Sequence, residues 1–140
     1  MAVGPVGVLG RVFFIIIFIL GNVRSLMKWE LSINQPLKAG VPAEYAPAIV
    51  VGTAVLAFLG SLCILFGQMK PGAACYTVFL IIVGFTKHYG DYLAAEGDPQ
   101  QQWMTIVQVC KNLALVGACL MFVDYDSQIR KLQAKEKKKE

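Results

Sequence analysis

The chain has 140 residues, of which 56% are hydrophobic and 16% are charged, and its formal net charge is +4. Because soluble domains are usually about 45–50% apolar and about 25% charged, this composition excludes an ordinary water-soluble domain. One helix needs about 20 apolar residues to cross a bilayer, so four helices would use about 80 positions and leave no room for a soluble catalytic domain.

The apolar residues fall into four long segments, and we predict an all-α fold in which each segment is a membrane-spanning helix. The second segment carries no formal charge, the third is uncharged as far as Thr86, and the fourth is interrupted by Lys111. The predicted spans lie at about 6–27, 45–69, 72–92 and 103–123, and a basic tail at 124–140 completes a single membrane domain.

Turn-forming residues separate the four segments. Pro36, Gly40 and Pro42 lie between the first two segments, 67–72 forms the second connection, and 97–99 forms the third. Because these connections are short, sequential helices are expected to pack as antiparallel neighbours in one four-helix transmembrane bundle.

Lysine and arginine are distributed unequally between the two ends of this predicted bundle. An even number of spans puts both termini on the same side, which carries Arg11, Lys70, Arg130, Lys131, Lys135, Lys137, Lys138 and Lys139. The opposite side carries only Arg24, Lys28, Lys38 and Lys87. Because the more basic side of a membrane protein stays inside, we expect both termini on the cytosolic or matrix side.

Small side chains recur every four residues in the second and fourth spans. Such stripes let the backbones of neighbouring helices approach closely in lipid. We therefore predict that both stripes point into the bundle, the alternative being that they only fill lipid-facing positions. The residues are Thr53, Ala57, Gly60 and Ser61 in the second span, and Cys110, Ala114, Gly117 and Ala118 in the fourth.

The sequence contains no recognisable catalytic or metal-binding pattern. Its four cysteines lie in apolar segments without C-x-x-C spacing, and a single histidine excludes a bis-histidine haem site within this chain. No nucleophile triad, phosphate-binding loop or pair of carboxylates is indicated. We expect a protein that is not an enzyme and that has no cofactor, no metal site and no nucleic-acid partner.

Polar groups inside the apolar segments form the candidate functional site, because ionisable side chains in a membrane are costly and usually face protein or water. Lys111 lies about 12 Å into the fourth span, near the midplane of the bilayer, and Asn112 adjoins it. Lys87, His88 and Asp91 lie at the end of the third span. Lys87 and Asp91 are spaced to share one helix face, and Asp91 is the nearest counter-charge for Lys111 in the predicted topology.

Three interpretations of these five polar residues remain open. They form an internal ion-pair or hydrogen-bond network, with Lys111 extending toward the interface. Alternatively they line a polar cavity for a ligand or a lipid headgroup, or they form a path for protons or ions.

Three segments of the sequence resemble the DoxX superfamily: GRVFF at 10–14, LGSL at 59–62 and KNLALVGA at 111–118. The resemblance extends through all four spans and is closest to the eukaryotic HR-like lesion-inducing proteins, and more distant to the surfeit-locus cargo receptors. It implies a four-helix membrane bundle. Relatives include an accessory membrane subunit of a thiosulfate:quinone oxidoreductase and non-enzymatic proteins, and a shared fold does not transfer a reaction.

We therefore expect a non-catalytic accessory subunit of a larger membrane complex, such as a respiratory one, whose partners are lipids and other membrane subunits. An alternative is a cargo receptor of the early secretory pathway, because Lys137 and Lys138 resemble a dilysine retrieval signal near the end of the sequence. A quinone-linked redox subunit is a second alternative. The expected location is an organelle membrane, either the mitochondrial inner membrane or the endoplasmic reticulum.

Overall fold

A computed structural model describes residues 4–138, and its regular elements are helices. Lys139, which the sequence places in the basic tail, lies outside the described residues. The helices are α1 (Pro5–Met27), α2 (Trp29–Lys38), α3 (Ala46–Leu65), α4 (Met69–Val83), a π-helical segment (Gly84–Tyr89), α5 (Gly90–Ala94) and α6 (Pro99–Glu136). The prediction of an all-α fold is confirmed.

Four helical stretches are long and apolar enough to cross a membrane, and the chain is a multi-pass membrane protein. They are α1, α3, the continuous stretch Met69–Ala94 and α6. The stretch Met69–Ala94 joins α4, the π-helical segment and α5 into one span. The four predicted spans are therefore present, but the second ends at Leu65 instead of 69, and the third and fourth are longer at both ends than predicted.

α2 is a helix in a region that the turn residues had assigned to a loop. Gly and Pro are absent from 29–35, and Pro36 occupies the last turn of the helix. Proline there removes one backbone N–H donor and crowds the carbonyl of Ser32 in the preceding turn, and the helix ends two residues later at Lys38. The hydroxyl of Ser32 donates to the carbonyl of Ser25 in α1 at 2.8 Å, which ties α2 to the preceding span.

The four spans pack in the order α1, α3, α4, α6, each against the next. Within the described residues, no Cα atom of α1 comes within 8 Å of a Cα atom of α6. The bundle therefore has a gap between its first and last spans. We call the half of the bundle at the α3–α4 turn the inner half, and the half at α2 and α5 the outer half.

Glycines allow α3 and α4 to pack closely in the inner half. A Cβ atom on Gly72 would stand 2.6 Å from Cγ1 of Ile64 and 3.1 Å from the carbonyl oxygen of Gly60. The turn between the two helices passes through Gly67, whose φ of 77° is favourable only for glycine. The short connection predicted at 67–72 is thus a turn that ends where α4 begins at Met69.

Aromatic rings fill the inner half between the spans. Phe18 and Tyr76 stack with their ring centroids 3.9 Å apart, and Phe14 meets Phe122 edge-on at 4.9 Å. The hydroxyl groups of Tyr76 and Ser61 lie 2.6 Å apart and share a hydrogen bond in the core. The Phe14–Phe122 contact closes the gap between α1 and α6 at this level.

α6 is much longer than a bilayer is thick. Its 38 residues span about 57 Å, compared with about 30 Å for a hydrocarbon core. The side chain of Asp98 caps its first turn by accepting from the backbone N–H groups of Gln100 and Gln101, both at 3.1 Å. Pro99 stands at the first helical position, where its missing N–H costs nothing. The segment after 123 continues the span as helix.

Candidate functional site

A cleft of about 480 Å³ lies in the outer half of the bundle. α1, α2, α3, α6 and the stretch between Phe79 and His88 all contribute to its walls. Small-molecule sites usually have volumes of about 300–1,000 Å³, so a ligand of ordinary size fits. Four of the five polar residues predicted as a network line this cleft, namely Lys87, His88, Lys111 and Asn112.

The charge of the cleft is entirely positive. Among the described residues that line it, four are basic and none is acidic, the basic ones being Arg24, Lys28, Lys87 and Lys111. In the described part of the chain, none of these four has a carboxylate oxygen within 4.0 Å of a side-chain nitrogen. Charges interact more strongly near a low-dielectric interior than in water, and uncompensated positive charge there favours an anion.

Asp91 does not supply the counter-charge that the sequence predicted for Lys111. Its Oδ1 lies 3.8 Å from Nζ of Lys38 in α2. The cause is close packing, since a Cβ atom on Gly90 would stand 3.0 Å from the backbone nitrogen of Ala39 and 3.2 Å from Cβ of Lys38. Because a loop was expected in place of α2, no partner for Asp91 was expected there.

The π-helical segment sets the positions of Lys87 and His88. A π turn bonds each N–H to the carbonyl five residues back, so residues four apart no longer align as they do in an α-helix. Lys87 and Asp91 accordingly do not form the ion pair that their spacing suggested. Thr86 and His88 are buried, and the Thr86 hydroxyl donates to the carbonyl of Ile82 at 2.8 Å. π insertions are frequent at functional sites.

Asn112 presents an unused hydrogen-bond donor at the cleft. Its Nδ2 is buried and has no acceptor among the described residues, and the side chain lines the cleft beside Lys111. Leaving a buried donor without a partner costs about 1–3 kcal/mol. A ligand with an acceptor oxygen would satisfy this group.

The lining changes from apolar to basic along the cleft. Toward the inner half it consists of Ile17, Phe18, Leu80 and Leu115, close to the aromatic rings of the core. Arg24, about two turns further along α1, and Lys28, which follows the helix, stand at the other end. The cleft thus has an apolar inner end, and its basic side chains lie further out, among apolar residues of α2 and α3.

A smaller cavity of about 320 Å³ adjoins the cleft on the side of α6. Lys87, His88 and Gln108 line both cavities, and Asp91, Gln101, Met104 and Thr105 complete the smaller one. Asp91 therefore lies next to the cleft and outside its lining.

The small-residue stripe of the second span lies in the bundle interior. Thr53, Ala57, Gly60 and Ser61 are all buried, as their spacing predicted. A Cβ atom on Gly60 would stand 3.3 Å from Cβ of Cys75 and from the ring of Tyr76, so this stripe faces α4.

The small-residue stripe of the fourth span does not point into the bundle, contrary to the prediction. Cys110, Ala114 and Gly117 are exposed, and Ala118 is only half-buried. α6 instead turns the face of Thr105, Asn112 and Cys119 toward its neighbours, and at 3.6 residues per turn that face is opposite the stripe. Leu115, Val116 and Phe122 pack against the core beside this face, and the stripe lies on the exposed side of the helix.

Arg24 and Lys28 are site residues that the sequence interpretation missed. They counted only toward the orientation of the chain. Arg24 lies in the last turn of α1, and Lys28 follows the helix directly and donates its backbone N–H to the carbonyl of Arg24 at 3.0 Å, so the two residues lie close together. The signal was their position at the same end of the bundle as Lys87 and Lys111. Because a loop was expected in place of α2, no helix was expected to enclose the space beside these residues as a cleft.

Other predicted residues lie away from the cleft. Lys137 and Lys138 are exposed at the end of α6. All four cysteines are free, with Cys119 buried and Cys110 exposed. Within residues 4–138, no group of three histidine, cysteine, aspartate or glutamate side chains is placed to hold a metal ion.

Comparison of the chain with protein-family models, with curated proteins and with solved structures returned no match.

Proposed function

We propose that this chain is a non-catalytic, DoxX-like membrane protein that binds an anionic ligand in the cleft of its outer half. The observation that carries the proposal is the charge of the lining. Four basic side chains line the cleft, and none of its described lining residues is acidic. The free Nδ2 donor of Asn112 adds a contact for an acceptor oxygen.

The test measures anion binding by the purified full chain in an uncharged detergent. Phosphatidylglycerol and its deacylated form, glycerophosphoglycerol, carry the same singly charged phosphodiester with and without acyl chains, and zwitterionic phosphatidylcholine is the reference without net charge. A charged hydrogen bond contributes about 1.5–3 kcal/mol, so Lys111→Gln should weaken phosphate binding about ten-fold or more. Lys70→Gln removes an exposed lysine at the start of α4, outside the cleft, and should bind as the unchanged chain does.

If the unchanged chain binds neither of the two anionic compounds more tightly than it binds phosphatidylcholine, the proposal is wrong. If Lys70→Gln weakens binding as much as Lys111→Gln does, the anion is held by the overall charge of the protein and not by the cleft.

A second proposal is that the chain is an accessory subunit of a larger membrane complex, with lipids and other membrane subunits as its partners. The exposed stripe of Cys110, Ala114 and Gly117 supports it, because small residues on a lipid-facing surface suit close packing with another helix. Ala114→Leu should release the chain as a monomer when native membranes are solubilised in mild detergent. Ala74→Leu, at an exposed position of α4, is the matched control, and recovery of the unchanged chain only as a monomer would refute the proposal.

We propose an organelle membrane as the location, with the basic end of α6 on the cytosolic or matrix side. The mitochondrial inner membrane fits a respiratory accessory subunit, and the endoplasmic reticulum fits a dilysine signal at Lys137 and Lys138. Replacing both lysines by serine should displace the protein only if the second location is right, which fluorescence imaging would show.

A further inference from the structure

The gap between α1 and α6 gives the cleft an opening toward the membrane. α1 packs on α3 and α6 packs on α4, and no Cα atoms of α1 and α6 approach within 8 Å in the described chain. Ile17 and Gly21 of α1 and Lys111 and Leu115 of α6 line the cleft on the two sides of this gap. Ile17 keeps 46% of its surface exposed, so the described part of the chain leaves the α1 side of the opening uncovered.

An aromatic contact closes the gap toward the inner half. The rings of Phe14 and Phe122 meet at 4.9 Å and form its floor. From Phe14 to Arg24 the helix rises about 15 Å, which is the depth of apolar wall between this floor and the first basic residue of α1. An acyl chain is the kind of group that fills such a slot, because its surface is apolar and it already lies in the adjacent leaflet.

We propose that the ligand of the cleft is an anionic membrane lipid of the outer-half leaflet, which enters sideways between α1 and α6. This inference rests on the proposed anion binding and names the source of the anion. The headgroup lies among Arg24, Lys28, Lys87 and Lys111, where its oxygens also accept from Asn112, and one acyl chain lies in the gap above Phe14 and Phe122.

Gly21 allows the opening to be blocked without disturbing the core. A Cβ atom placed on it meets no atom within 4 Å, and the same holds for Gly10, which is on the same helix and does not line the cleft. Gly21→Phe therefore fills the gap, and Gly10→Phe is its matched control. Ile17→Trp narrows the gap one turn nearer the floor and replaces Gly21→Phe if that variant does not fold.

The experiment uses the full chain in phosphatidylcholine nanodiscs that contain spin-labelled phosphatidylglycerol. Electron spin resonance measures the fraction of label that the protein immobilises. We expect immobilisation by the unchanged chain and by Gly10→Phe, and binding about ten-fold weaker for Gly21→Phe. Spin-labelled phosphatidylcholine should remain mobile, and Lys111→Gln should weaken retention of the anionic label.

Two results would overturn the lateral-entry proposal and leave anion binding standing. One is immobilisation by Gly21→Phe and Ile17→Trp equal to that of the unchanged chain, with Lys111→Gln still weakened. The other is binding of glycerophosphoglycerol without binding of the lipid, which would identify a soluble anion that enters from the water. Binding of neither compound would refute both proposals together.

Discussion

In the inner half of the bundle, aromatic rings and closely approaching helices fill the space between the spans, whereas in the outer half the spans separate around a basic cleft. Gly60 and Gly72 let α3 and α4 meet in the inner half, and Phe14 bridges to Phe122 across the gap. At the outer end, Arg24 and Lys111 have no carboxylate partner among the described residues.

This difference between the two halves indicates that the inner half stabilises the bundle and that the outer half serves function. Helices in lipid gain little from removing apolar surface from their surroundings, so close packing and hydrogen bonds hold them together. The inner half supplies these contacts. The outer half keeps like charges near one another and a donor unsatisfied, which costs free energy, and such costs are typical of a region selected for binding.

The largest effect should come from the aromatic core. Phe18 is 4% exposed and Phe13 is 65% exposed on the same helix. Phe18→Ala leaves a cavity where Tyr76 loses its stacking partner, and it should lower the free energy of unfolding by about 3 kcal/mol. Phe13→Ala, which faces lipid, should change it by less than about 0.5 kcal/mol. Unfolding of the purified chain in mixed detergent micelles measures both, and equal losses would contradict the inner-half assignment.

A smaller loss is expected where α3 and α4 meet. Gly72→Ala would place a Cβ atom 2.6 Å from Cγ1 of Ile64, which is fully buried and cannot move aside. Overpacking of this kind should lower the free energy of unfolding by about 2 kcal/mol. The control is Gly52→Ala on α3, where an added Cβ meets no atom within 4 Å. Its free energy of unfolding should stay unchanged or rise, because alanine favours a helix more than glycine does. A fall in the free energy of unfolding equal to that of Gly72→Ala would contradict the prediction.

The smallest effect is expected in the outer half, at the ion pair of Lys38 and Asp91. Their side chains keep 50% and 31% of their surface exposed, so solvent screens the attraction. A double-mutant cycle with Lys38→Met and Asp91→Asn should give a coupling below about 1 kcal/mol, and the coupling should decrease further as salt is added. A coupling as large as the loss caused by Phe18→Ala would show that the outer half also holds the bundle together.

Much of the fold could be predicted from the sequence, because a membrane span depends on the length and apolarity of one segment. The spans around α1 and α3 and the buried stripe of Thr53, Ala57 and Ser61 needed no knowledge of neighbours. α2 could not be predicted in the same way. The helix packs against α3, α5 and the π-helical segment as well as α1, while Pro36 and Gly40 indicated a turn.

The candidate site was predicted only in part, for a related reason. Lys87 and Lys111 were conspicuous because they interrupt apolar segments, and both line the cleft. Arg24 and Lys28 have the ordinary appearance of basic residues at a span end. The π-helical segment changed the register that Asp91 was expected to keep. The prediction of which face of α6 points into the bundle was also wrong. Two faces of that helix are apolar, and only the neighbouring helices decide which of them is buried.

α6 has no glycine or proline after Gly117 and continues from Asp124 to Glu136, about 20 Å beyond the core residue Val123. Lys111 stands on one side of the Phe122 contact, and the end of the helix stands on the other. α6 packs against α4 and, in the outer half, also against the π-helical segment and α5. One unbroken helix therefore carries both the cleft wall at Lys111 and the charged segment beyond Val123, so the two sides of the bundle share one rigid element.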